Sequence, residues 1–117
     1  MIKSITRAFL LLLLIGVVSK SIHAQAPDKM SYQAVIRNSS NVLIQNHAVG
    51  VRISILQGST SGSIVYSETQ TTNTNANGLM TLQIGAGTIT SGSFSGINWA
   101  NGPYFIQTET DPTGGMS

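Results

Sequence analysis

Val49, Val51, Ile53 and Ile55 alternate with Gly50, Arg52, Ser54 and Leu56, and no other stretch constrains the fold of this chain as strongly. A period of two puts every second side chain on one face, so the segment reads as a β-strand. Its four β-branched residues are expected to be buried, with Arg52 and Ser54 facing solvent. A lone strand has nothing to bury against, so its partners must come from the rest of the sequence.

Candidate partners are spaced along the chain. Met30 to Arg37 (MSYQAVIR) alternates and stops at the turn cluster Asn38-Ser39-Ser40-Asn41, after which Val42-Leu43-Ile44 is a short second strand; the two read as a hairpin. Gln57 to Ser63 is a loop, and Ile64 to Thr71 the next strand, with Ile64 and Tyr66 inward and Glu68 near its end. Asn73 to Gly78 is a turn whose Asn77-Gly78 pair signals a hairpin, because both residue types tolerate positive φ. Leu79 to Ile84 returns with Met80, Leu82 and Ile84 on one face. Gly85 to Asn98 reads as one long glycine-rich loop, pinned over a sheet end by Phe94, Ile97 and Trp99. Tyr104 to Thr110 is the last strand, and Asp111-Pro112-Thr113-Gly114-Gly115 begins a turn. No stretch beyond the N-terminal segment has helical periodicity. Six short strands joined by tight turns predict an all-β domain, an antiparallel β-sandwich.

The first residues belong to a different class. Lys3 and Arg7 precede an uninterrupted apolar run from Ala8 to Val18, and small and polar residues from Ser19 to Ala24 follow, the pattern of an export signal. As a helix the run spans about 16 Å at about 1.5 Å per residue, half of a hydrocarbon core of about 30 Å, which disfavours a retained anchor. Cleavage between Ala24 and Gln25 is preferred over a cut after Ala26, which would put Pro27 directly behind the bond. The expected organisation is a signal peptide at 1–24 and one β-sandwich module at 25–117.

Removal of that leader changes the charge argument. The full sequence carries a formal net charge of +2, but Lys3, Arg7 and Lys20 leave with the signal. Lys29, Arg37 and Arg52 then face Asp28, Glu68, Glu109 and Asp111, a nearly neutral balance. Three scattered cations make no basic patch, so nucleic acid is not an expected partner, nor is an anionic membrane surface. The sequence has no cysteine, so stability is expected to come from packing and hydrogen bonds alone.

KMSYQAVIRN, VGVRISILQGS with SIVYSET, TNANGLMTLQIGAG and INWANGPYFIQTETDPTGG together resemble the N-terminal module of a family of secreted bacterial surface proteins. The resemblance covers nearly all of residues 25–117. It implies a prealbumin-like or Cna B-like β-sandwich, within the wider Ig-like class, that precedes repeat, collagen-like or tail-fibre-like segments. Members of that family usually continue past the Asp-Pro-x-Gly-Gly turn with a further strand. Since only Met116 and Ser117 follow the turn here, the module is expected to lack its last strand. A strand left without that partner would offer an exposed edge.

Residues able to carry chemistry are few. Glu68 and Glu109 could in principle form a glycosidase pair, with Asp111 as a third carboxylate, but carboxylates beside threonines on strands are ordinarily solvated surface groups. His47, in a polar segment, is no better placed for a Ser-His-Asp relay. Asn73, Asn75, Asn77 and Gly78 copy the first half of a calcium loop, yet the twelfth position is Ile84 instead of a bidentate glutamate, so a simple turn is the expected reading. No catalytic residue, cofactor or metal is assigned. Trp99 and Tyr104, flanking Asn101-Gly102-Pro103, could stack on a sugar ring, against the plainer reading that they plug the core. The expected function is a non-catalytic structural or adhesion module of an exported bacterial surface protein, partnered by downstream domains of a longer protein or by other surface proteins. A glycan-binding module using Trp99 and Tyr104 is the alternative, and a glycoside hydrolase fragment the third reading.

Overall fold

The computed structural model describes residues 28–116. The signal segment and the Ala24–Gln25 cleavage site lie outside these residues. The described chain is an all-β domain of two antiparallel sheets, β-sandwich-like, with strands β1 (Met30–Val35), β2 (Ala48–Gln57), β3 (Ser63–Asn73), β4 (Leu79–Ile84), β5 (Thr88–Gly92) and β6 (Tyr104–Asp111). One sheet has the order β5-β3-β2-β6, and the other pairs β1 with β4. Among the described residues no helix is long and apolar enough to cross a membrane.

The alternating run becomes β2, a central strand. Val49, Val51, Ile53 and Ile55 are completely buried and meet Met80, Leu82 and Ile84 of β4 in one core, joined by Ile36, Tyr66 and Phe94. At about 1.5–3 kcal/mol for each fully buried large apolar side chain, this cluster is the main source of stability in a chain without cysteine. Met30, Tyr32 and Ala34 of β1 pack against it with half-buried side chains.

Four local expectations are corrected. Ser54 does not face solvent: its short side chain sits between those of Arg52 and Leu56 on a central strand, is 3% exposed, and meets the Ser67 hydroxyl at 3.3 Å. Ile64 is not inward. A β-bulge opposes Ile55 to Tyr66 and Leu56 to Ile64, which leaves Val65 without an opposite residue and turns Ile64 to the outer face. The bulge is met from the other side by Gly92, whose positive φ and lack of a Cβ let the Val65 carbonyl come close.

The other two corrections concern connections. Met30–Val35 pairs along its length with β4, and the expected hairpin is confined to its tip, where the Arg37–Leu43 bridge is flanked by hydrogen bonds from Asn38 N–H to the Val42 carbonyl and from Ile44 N–H to the Ile36 carbonyl. The turn itself forms as read, with Asn38 Oδ1 accepting from the amides of Ser40 and Val42. The Asn77-Gly78 signal marks a real turn but no hairpin, because β3 and β4 lie in different sheets. Asn75 Oδ1 accepts from the amides of Asn77 and Leu79, and Gly78 alone takes positive φ. The crossing is anchored to the preceding segment through Thr74 N–H to the His47 carbonyl and Asn46 N–H to the Asn75 carbonyl.

The glycine-rich stretch also holds a strand that the sequence reading missed, β5, whose five residues are all exposed. Phe94 is buried, and Ile97 and Trp99 pack against the core as expected of plugs.

Candidate functional site

The three candidate carboxylates are dispersed. Glu68 lies directly across from Ile53, on the core face of the four-stranded sheet, and Glu109 directly across from Arg52, on the other face. Residues opposite one another in an antiparallel pair share a face, so β2 separates the two carboxylates and no glycosidic bond can lie between them.

Glu68 is fully buried, which corrects the expectation of a solvated surface group. Its carboxylate accepts from the Tyr66 hydroxyl at 2.8 Å, Gln70 Nε2 at 3.0 Å, and the amides of Gly85 at 3.0 Å and Gly87 at 2.8 Å. Four donors satisfy a buried anion and tie the turn after β4 to the middle of β3. Burial, then the hydrogen bond to Glu68 and its charge, push the Tyr66 hydroxyl well above the usual tyrosine range. Glu109 is exposed and forms an ion pair with Arg52 at 3.0 Å. Asp111 caps the turn after β6, its Oδ1 accepting from the Thr113 hydroxyl and amide. Those two bonds hold its carboxyl below the usual range.

His47 Nδ1 lies 2.7 Å from the Ala48 carbonyl, which requires that nitrogen to carry the proton. The Asn75 oxygen is committed to two amides in the turn, and no group of three or more His, Cys, Asp or Glu among the described residues could hold a metal ion.

Trp99 and Tyr104 are brought together, but as part of a row. Tyr66, Phe94, Trp99 and Tyr104 pack edge to face in succession, with ring centroids 5.4, 5.7 and 5.2 Å apart. The last two rings are inclined at 70° and so form no common platform for a sugar. A 3₁₀ turn at Trp99–Asn101, capped by the Asn98 side chain, sets Trp99 against Phe94. Beside the end of the row lies a cleft of about 290 Å³ lined by Gln57, Ile97, Asn98, Asn101 and Tyr104, among others; Trp99 does not line it. Sequence reasoning found Tyr104 with Asn101 beside it but not Gln57, which is more than forty positions away and joins them only through the β2–β6 register.

A second feature lies along β6, the last strand of its sheet. Ile106, Thr108 and Thr110 stand directly across from Ile55, Ile53 and Val51, on the core face, yet all three are exposed. The core ends at β2, and β6 extends beyond the cover given by the two-stranded sheet.

No curated protein and no solved structure matches the chain. A family model does match residues 31–117, a span that takes in both features and all six strands except Met30, and by that match the chain belongs to the family described as a domain of unknown function, DUF8740.

Proposed function

We propose that this protein is a non-catalytic structural or adhesion module of an exported bacterial surface protein, and that it works by accepting an extended strand from another polypeptide segment along β6. The observation that carries this reading is the pairing of a fully buried Ile53 with an exposed Thr108 on the same face of the same sheet. A strand with an unpaired edge and an uncovered core face is a template for strand addition, in which main-chain hydrogen bonds supply affinity and alternate side chains supply selectivity. Ile106, 48% exposed, is the apolar contact an added strand would cover. In this reading the domain is a prealbumin-like or Ig-like sandwich open on its β6 side. Its partners are downstream domains of the same longer protein or other surface proteins. The leader at 1–24 directs it out of the cell. The commitment of Glu68 and Asp111 to turns, and of Glu109 to Arg52, agrees with a structural role.

The test is hydrogen exchange on the protein recovered from the surface of its producing cells, compared with the isolated chain. Slower exchange of β6 amides in the surface-extracted assembly is the expected result. Equal exchange in both, or labelling of the domain only inside the cell, would overturn the reading.

The cleft beside Tyr104 favours a second reading, a glycan-binding module, in which Tyr104 acts with neighbouring amides and Trp99 serves only as its support.

A further inference from the structure

The end of the four-stranded sheet remote from the Asp111 turn combines three properties at one place. Its cleft has no charged side chain in its lining, which consists of amides, a serine, a glycine, two aliphatic residues and Tyr104. Its polar groups are held in position. Gln57 Nε2 donates to the Asn101 carbonyl at 3.0 Å, with the Tyr104 hydroxyl 3.5 Å away, and that hydroxyl donates to the Asn98 carbonyl. Its volume of about 290 Å³ matches the small end of ligand pockets, roughly 300–1,000 Å³.

From these we infer that the cleft binds a neutral saccharide, one ring deep. This inference rests on the glycan-binding reading and is independent of strand addition at β6. The lining offers no charged side chain to pair with a nucleotide, an amino acid or an acidic sugar, which favours an uncharged ligand. Amide side chains suit hydroxyl-rich rings because each offers a donor and an acceptor side by side. Asn98 Oδ1 already accepts from the Ala100 amide, which leaves its Nδ2 as a donor, while the Asn101 carboxamide and Gln57 Oε1 have no partner among the described residues. Ile97 and the Tyr104 ring supply the apolar surface that the C–H face of a sugar requires. Trp99, packed edge to face on Tyr104 at 5.2 Å, fixes that ring before any ligand arrives.

The experiment is an NMR titration of the full isotope-labelled chain with N-acetyl-D-glucosamine, D-galactose and D-mannose separately, with N-acetylneuraminic acid as the charged comparison. Saturable shifts of the amides of Gln57 and residues 97–101 are expected with at least one neutral sugar, with a dissociation constant on the order of 1 mM. Asn101→Ala keeps the main-chain carbonyl that Gln57 uses, and should weaken binding roughly five- to tenfold, the loss of one or two hydrogen bonds, with an unchanged unfolding midpoint. Asn101→Trp, which fills the cleft, should abolish binding. No saturable shift with any of the three neutral sugars, a response to the acidic sugar alone, or undiminished binding in both Asn101 variants would each overturn the inference.

Discussion

The Tyr66 hydroxyl donates to the Glu68 carboxylate at 2.8 Å, and both side chains are sealed completely from solvent. Two residues apart on one strand, they share the core face, and the pair joins the aromatic row at one end to the turn after β4 at the other. Glu68→Gln should therefore be costly although it is nearly isosteric. The new amide group would turn its own hydrogens toward groups that already donate, leaving buried donors opposed. A loss of about 2–4 kcal/mol is expected in urea unfolding, as for a buried charged acceptor removed from its partners. A loss below about 1 kcal/mol would show that the carboxylate does not organise this end of the core.

Tyr66 gives the pair a pH dependence of definite sign. Its folded-state pKa is raised, first by burial and then by Glu68, above the unfolded value of about 10. Its contribution to stability is thus fully present below about pH 10 and is lost as the pH rises toward the folded value, where the unfolded chain releases a proton that the native chain retains. Stability should fall above pH 10 with a limiting slope of about 1.4 kcal/mol per pH unit from this group. Tyr66→Phe should remove that component of the slope and cost about 1–2 kcal/mol at neutral pH through the hydrogen bond lost to Glu68. Denaturant curves at pH 7 to 11 for both proteins check the sign; an unchanged alkaline slope in the variant would contradict it.

Much of this architecture was legible in the sequence, and the failures share a cause. The alternating apolar residues of Val49 to Ile55 and Met80 to Ile84 are legible because they line one face of a core, the condition under which a period of two appears, while the burial of Ser54 on the other face of β2 leaves no such mark. β5 is exposed along its whole length, and its one large apolar residue, Ile89, is too little to mark a buried face. Ile64 shares the sequence parity of Tyr66, which predicts an inward side chain, and the bulge that breaks the parity is set by pairing with β2. Glu68 resembled Glu109, since both stand among threonines, and only register reveals that one faces Ile53 and the other Arg52. In the candidate site, Tyr104 and Asn101 are neighbours in the chain and were visible together, whereas Gln57 reaches them from the far end of β2.

The same register predicts that the second glutamate matters little to stability. Glu109 and Arg52 form a partly exposed pair, which in water contributes about 0–1 kcal/mol and is screened by salt. Glu109→Gln should shift the unfolding free energy by less than about 1 kcal/mol, with the difference shrinking further in 0.5 M salt. A cost approaching that of Glu68→Gln would mean that the outer face is covered in solution.

Gly87 should be intolerant of even one added methyl group. A Cβ there would lie 2.7 Å from the Thr69 carbonyl oxygen and 2.9 Å from Glu68 Oε2, and backbone cannot yield as a flexible side chain would. Gly87→Ala must therefore move the turn and stretch the amide bond to Glu68, a distortion of about 1–3 kcal/mol. Thermal unfolding measures the loss, and exchange of the Gly85 and Gly87 amides should accelerate with it. Wild-type stability together with wild-type protection at both amides would rule this account out.

Ile55 and Ile106 face each other across the β2–β6 pair and point to the same side, but Ile55 is completely buried and Ile106 is 48% exposed. Truncation should separate them by several kilocalories. Ile55→Ala opens a cavity among Tyr66 and the β4 residues and should cost about 2–5 kcal/mol, whereas Ile106→Ala in the isolated chain removes surface that water already reaches and should cost less than about 1 kcal/mol. Ile106→Lys carries the argument to function, because a charge pointing from an edge strand toward the uncovered face opposes strand addition without disturbing the core. It should leave the unfolding midpoint nearly unchanged while removing the extra protection of β6 in the surface-extracted assembly. If Ile106→Ala proves as damaging as Ile55→Ala in the monomer, the face beyond β2 is closed already and β6 has no room for a partner.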